Sequence, residues 1–322
     1  MSILSQLREM TTIVEDTGDI ELIKKHKPRD ATTNPSLLLA AAQLPQYQYL
    51  VEDAIQSTGD DLCNQNASLR SCLEILSVNF GKEILSIVPG RVSVEVDSTL
   101  SFDVEGTMEA ARRIIRKFEK QGIDRSRILI KIAATWEGIK AAQQLEKERI
   151  HCNLTLLFGF SQAVACAEAN VTLISPFVGR ILDWFKEKQR IDNISPEDDP
   201  GVISVKRIYN YYKKFDYGTE IMGASFRNIG EIIELAGCDL LTISPKLLEE
   251  LECKSDNLEK KLDPANAKKL DTERISLNEK TFRWMLNEDP MATEKLSEGI
   301  RKFTSDLDRL SDFIREKHCG KL

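Results

Sequence analysis

Lys131 lies in the run RILIKIAATW and is the one charged residue between Ile128 and Ala134. Strand alternation places Leu129, Lys131 and Ala133 on one face, and Ile130 and Ile132 on the other. If the isoleucine face packs on helices, Lys131 points inward. Burying an ammonium is costly, so this lysine should lose its proton more easily than in water. A neutral amine in a dry pocket is what imine formation with a ketone requires. The plainer reading is a lysine at a strand end that snorkels to water or pairs with a carboxylate.

Carboxylates recur at comparable places. RVSVEVD puts Ser93, Glu95 and Asp97 on one face, against Val92, Val94 and Val96. TTIVED puts Asp16 on the face of Thr12 and Val14, at the C-terminal end of the run. A carboxylate beside a neutral lysine can move protons to and from an imine or a departing alkoxide. The competing readings are a solvated strand end for Asp16 and a salt-bridge partner for Glu95. HCNLTLLF sets Asn153 and Thr155 opposite Cys152, Leu154 and Leu156, which suggests hydrogen bonds to hydroxyls or to a held water. Asn34, ahead of Pro35 and Ser36, reads first as a helix N-cap. TLISPFVGR aligns Leu173, Ser175 and Phe177 and places Arg180 just past a glycine; EIMGASFRN does the same with Ile221, Gly223, Ser225 and then Arg227. Two arginines in equivalent positions beyond consecutive strands, each opening a helix, could share one phosphate through forked hydrogen bonds.

These residues need strands to hold them. Eight strand candidates stand out: Thr11–Asp16, Asp30–Thr33, Arg91–Val96, Ile128–Ala133, Cys152–Phe158, Thr172–Ser175, Glu220–Gly223 and Leu240–Ile243. Helical periodicity fills most gaps, as in Gly106–Gln121 and Trp136–Glu148. That alternation fits one α/β domain over residues 1–322, a (β/α)8 barrel, rather than an open doubly wound sheet, for which no GxGxxG turn exists. Residues 246–322 form a C-terminal helical extension. Within it Glu249–Arg274 reads as an exposed helix with a mobile connection, and Met291–Lys317 as a long amphipathic helix. Gln189–Gly201 reads as an acidic surface loop.

The chain has 322 residues, 42% hydrophobic and 30% charged, with a net charge of −7. This composition suits a globular chain with a sizeable core and argues against a nucleic-acid surface, which needs clustered positive charge. No apolar run approaches the ~20 residues needed to cross a bilayer. Arg8 and Glu9 stand where a signal peptide would be apolar, so the expectation is a cytoplasmic protein without membrane partners. Seven cysteines (63, 72, 152, 166, 238, 253 and 319) at irregular spacing suit reduced thiols; Cys152, Cys166 and Cys238 read as buried and inert. With no CxxC and no His/Cys pairing pattern, no metal site is expected. His26, His151 and His318 read as solvated or core residues, and Tyr209, Tyr211 and Tyr212 as a helix packing face.

Together, TTIVEDTGD, DATTNPSLLLAAAQ, VPGRVSVEVD, RILIKIAATWEGI, CNLTLLF, LISPFVGRILDW, MGASFRNIGEIIELAGCD and DPMATEKLSEGIRKF resemble the transaldolase family. The resemblance covers nearly the whole chain and is weakest around 55–70, 186–198 and 254–275. It implies a (β/α)8 barrel that transfers a dihydroxyacetone unit between sugar phosphates through a lysine imine. It also implies no metal or organic cofactor, a place in the non-oxidative pentose phosphate pathway, and a homodimer. On this resemblance Lys131 matches the imine-forming lysine, and Asp16 the acceptor of the C4 hydroxyl proton. Glu95 and Thr155 match the pair that holds a catalytic water. Asn34, Asn153 and Ser175 match groups contacting the substrate hydroxyls and the bound three-carbon unit. Arg180 and Arg227 match phosphate binders, with Ser225 nearby. Phe177 matches the residue that sets transfer against hydrolytic release; related fructose 6-phosphate aldolases carry tyrosine there. Gly159 departs from the serine common among relatives and bears only on local loop geometry.

Overall fold

The computed structural model describes residues 1–59, 62, 66–190 and 192–319; Cys63 and the last three residues lie outside the described residues, as does the side chain of Cys319. Eight parallel strands close a barrel in sequence order. They are β1 (Thr12–Asp16), β2 (Asp30–Thr32), β3 (Val92–Glu95), β4 (Ile128–Ala133), β5 (Cys152–Leu157), β6 (Leu173–Pro176), β7 (Glu220–Gly223) and β8 (Leu240–Ile243). Each lies within one residue of the sequence expectation at either end.

Parallel strands are buried on both faces, which is why β4 can read almost without interruption as apolar residues. Val92, Val94, Ile130, Ile132, Cys152 and Leu154 pack outward in the shell between strands and helices. Inside the barrel Val14, Leu129, Leu173, Met222 and Leu240 form a small apolar layer of their own. One pleat further toward the C-terminal ends, the inward positions turn polar. The register puts Glu95 opposite Lys131 and Lys131 opposite Asn153, so three polar groups sit side by side above an apolar floor.

Two features depart from simple alternation. Leu156 was expected on the outer face with Cys152 and Leu154. It instead has φ +52°, the register between β5 and β6 shifts between Leu154 and Leu157, and its side chain joins Phe158 and Phe177 in an apolar cluster near the barrel mouth. A left-handed residue in a strand makes a bulge, which re-aims the side chains beyond it. Glu249–Arg274 is not one helix. The helix Pro245–Glu252 ends, irregular chain follows, and only Pro264–Ala267 is helical again. Leu258 and Leu262 are buried and anchor this segment, and Pro264 cannot continue a preceding helix.

The long C-terminal helix, Pro290–Cys319, carries Met291, Leu296, Ile300 and Phe303 on the face that packs against Leu156, Phe158 and Phe177. Its polar residues also tie it to the barrel's C-terminal end. Ser98 Oγ lies 2.8 Å from Thr304 Oγ1, and Ser36 hydrogen-bonds Asp306. His26, read as a solvated or core residue, is half-buried, with Nδ1 2.6 Å from Glu15 Oε1. His151 contacts Thr172 and Glu146. Tyr209, Tyr211 and Tyr212 are fully buried on the helix Pro200–Lys214.

Candidate active site

Lys131 is buried, and its Nζ donates to the Thr33 carbonyl oxygen at 3.2 Å. Glu95 Oε2 stands 3.5 Å from the same Nζ. Burial pushes the Glu95 carboxyl up to about 7, although the charge of Lys131 pulls the other way. Beyond that ion pair, Glu95 Oε2 and Thr155 Oγ1 have no hydrogen-bond partner among the described residues. They sit on β3 and β5, the strands that flank the lysine's own. Buried oxygens are nearly always hydrogen-bonded, so two unsatisfied ones beside a lysine mark a place built for a third party.

Asp16 ends β1. It accepts a hydrogen bond from Thr32 Oγ1 at 2.8 Å, and Thr32 Oγ1 lies 2.7 Å from Thr242 Oγ1. Burial raises the Asp16 pKa, with Lys131 opposing, so the carboxylate is more basic than one in water. Ser175 Oγ donates to Asn153 Oδ1 at 2.5 Å, and Asn153 Nδ2 donates to Ser93 Oγ at 3.0 Å. This chain fixes which way the Asn153 amide faces. Asn34 caps the helix Pro35–Ala42 by accepting from Leu37 N at 3.0 Å, a cap worth about 1 kcal/mol. The same residue also borders the cleft, so both readings of it hold.

Asp16, Asn34, Lys131, Ser175, Phe177, Arg180, Ser225 and Arg227 line one cleft of about 200 Å³. Asn153 and Thr155 are both fully buried and are not part of the cleft lining. Glu95 borders a neighbouring cavity that also touches Asn34. Thr32, Thr242 and Phe303 line the cleft as well and were missed by sequence reasoning. Thr32 was findable, since strand pairing sets it beside Asp16. Phe303 was not, because within its own helix it is simply one member of an apolar stripe.

The two arginines are brought together by a close backbone approach. Gly179 N donates to Ser225 O at 2.9 Å, and a Cβ on Gly179 would lie 2.5 Å from that oxygen and 2.5 Å from Arg227 Cγ. Only glycine fits there. Ser225 itself takes the left-handed conformation, φ +63°, at the turn. Arg180 packs over the rings of Phe177 and Phe303 at 5.0 and 5.6 Å and has no ion pair among the described residues. Burial and then the positive charge of Arg227 hold its pKa down. An anion between the two guanidinium groups would relieve that repulsion. Arg227 pairs with Asp183 at 2.7 Å on an exposed edge.

The raised Glu95 carboxyl has consequences that can be measured. Because its folded pKa lies above the ordinary 4.5, the folded state holds the proton more tightly. Its contribution therefore favours the fold at low pH and is lost as pH rises from 4.5 to about 7. Kinetically, kcat/KM should show an ionisation near pH 7 that Glu95→Gln removes. An unchanged pH profile in that variant would assign the ionisation to another group.

The family model described as Transaldolase/Fructose-6-phosphate aldolase matches residues 13–314. A transaldolase of Thermosynechococcus vestitus is 59% identical over 326 residues, covering 100% of this chain and 83% of that protein. The transaldolase of Methylococcus capsulatus is 58% identical over 320 residues, covering 98% and 97% respectively. That of Alteromonas mediterranea is 58% identical over 314 residues and covers 98% of each. With a closed eight-stranded barrel, a buried lysine flanked by carboxylates at its mouth, and identity of this extent along its length, the chain belongs to the transaldolase/fructose-6-phosphate aldolase family.

Proposed function

We propose that the chain is a transaldolase, moving a dihydroxyacetone unit from sedoheptulose 7-phosphate or fructose 6-phosphate to an aldose phosphate in the non-oxidative pentose phosphate pathway. The observation that carries this reading is Lys131, buried between the carboxylates of Glu95 and Asp16 with Glu95 3.5 Å from its Nζ. In this reading the amine adds to the C2 ketone and gives a carbinolamine. Glu95 delivers a proton to the departing hydroxyl, which leaves as water and yields the imine. Asp16 then takes the proton of the C4 hydroxyl as the C3–C4 bond breaks, and the bonding electrons pass into the imine. The aldose phosphate departs, and an enamine remains on Lys131.

An incoming aldose phosphate is attacked by the enamine carbon, and Asp16 returns its proton to the new hydroxyl. Hydrolysis of the product imine then needs a water activated by Glu95, with Thr155 as its second contact. Ser175, Asn153 and Asn34 serve the hydroxyls of the held three-carbon unit. Arg180 and Arg227 grip the phosphate, fixing its distance from the reacting carbonyl. Phe177, buried and edge-on to Phe158 at 5.4 Å, offers no hydroxyl to a water that would release the enamine prematurely. The same reading, through the family resemblance, makes the protein a cytoplasmic homodimer.

Transfer and simple cleavage are separated by the acceptor. Glyceraldehyde 3-phosphate released from fructose 6-phosphate should appear at a sustained rate only when erythrose 4-phosphate is present, as a coupled dehydrogenase would report. Sustained release without acceptor would make the chain an aldolase instead.

A further inference from the structure

Arg180 differs from its companion arginine in what surrounds it. The Arg227 guanidinium is engaged: Nε and Nη2 donate to Asp183, and Nη1 donates to the Ser225 carbonyl oxygen. Arg180, at the start of the helix Gly179–Gln189, has neither a hydrogen bond nor an ion pair among the described residues. Burial and then the charge of Arg227 work against its positive charge, yet a guanidinium keeps its proton inside a protein. What lies against it is aromatic. The guanidinium carbon sits 5.0 Å from the centroid of the Phe177 ring and 5.6 Å from that of Phe303. A ring face attracts a cation within about 6 Å, the more so where water is excluded. It also takes none of the N–H groups, which lie in the guanidinium plane and stay available to an anion. A carboxylate in the same place would occupy that fork, and every phosphate that bound would have to displace it.

Phe303 reaches Arg180 from near the C-terminal end of the chain, and its position is fixed from behind. It is 1% exposed and belongs to the apolar face on which Met291, Leu296 and Ile300 pack against the barrel mouth. One turn before it, Gly299 lets the helix Pro290–Cys319 come down on the bulge in β5, where a Cβ would lie 2.6 Å from Leu156 Cδ2. The next residue after it, Thr304, has its Oγ1 2.8 Å from Ser98 Oγ. A ring anchored this way has little room to move, and it lines the cleft together with Arg180.

We propose that Phe303 is a positioning residue for the phosphate site: together with Phe177 it seats the Arg180 guanidinium and leaves its N–H fork open to the substrate phosphate. The C-terminal helix thereby supplies part of the phosphate site without itself holding the phosphate. The inference rests on the reading of Arg180 as a phosphate binder.

The test compares the parent with Phe303→Leu in KM for fructose 6-phosphate and in the inhibition constant of inorganic phosphate against that donor. Leucine fills apolar volume but has no ring face, so both constants should rise about tenfold. Phe303→Tyr keeps the face and should raise them less. Phe303→Met carries the test should the leucine variant fold poorly. Borohydride trapping of unphosphorylated dihydroxyacetone on Lys131 should continue in all three, since no phosphate is involved. Arg180→Gln should raise both constants by itself, and adding Phe303→Leu to it should change them no further, because residues that act through one group are not additive. Unchanged constants in the leucine and methionine variants, trapping lost along with phosphate affinity, or the full rise persisting without Arg180 overturns the inference alone. If Arg180→Gln leaves both constants unchanged, the phosphate reading itself falls, and the inference with it.

Discussion

Lys131→Met leaves a folded barrel that does not turn over. Removing a covalent nucleophile costs on the order of 10⁴–10⁶-fold in rate. Methionine keeps the length and apolar stem of lysine, so the packing above Leu129 is preserved. The losses to the fold are one hydrogen bond to the Thr33 carbonyl and the ion pair with Glu95. Neither should unfold the protein. Glu95 already titrates at about 7, and without the lysine's positive charge it holds its proton more readily, so no uncompensated charge need stay buried. Borohydride reduction in the presence of fructose 6-phosphate should add a three-carbon unit to Lys131 in the parent protein and none in the variant. A thermal melt would confirm the fold. Turnover near the parent rate would exclude imine chemistry at this residue.

Asp16→Asn separates the steps. The amine and Glu95 remain, so the imine still forms, but the group that takes the C4 hydroxyl proton is gone. General-base catalysis is worth about 10²–10⁴-fold, and transfer should fall by that much while borohydride trapping of the intact six-carbon donor persists. Asparagine can still accept from Thr32 Oγ1, which keeps the local geometry. Its effect on stability has a definite sign. The Asp16 pKa is raised by burial above its ordinary 3.8, so the parent loses stability as pH rises through the window above 3.8. The variant lacks that loss, and its melting temperature relative to the parent should increase as pH is raised through the same window. Equal losses of trapping and transfer would mean that Asp16 serves imine formation rather than cleavage.

Much of this site was legible before any fold was known, for a local reason. A strand repeats every two residues, so a lysine between isoleucines, or a glutamate between valines, declares its face without reference to the rest of the chain. Lys131, Glu95, Asp16, Asn153 and Ser175 all follow from that period, and the structure sets each on the barrel's inner side. The family motifs added roles that no spacing could supply. Where the local period breaks, the reading broke too: the left-handed Leu156 turned the end of β5 inward, and only the pairing with β6 reveals it.

The sequence by itself therefore determined the strand order, the inward faces and the lysine with its carboxylates, because these depend on neighbours one or two residues apart. The tertiary structure alone decided that Phe303, 172 positions after Lys131 by the numbering, would line the same cleft. It decided also that Arg227 would pair with Asp183. Such contacts join residues far apart along the chain. No periodicity encodes them, and they exist only once the barrel has closed and its helices have packed.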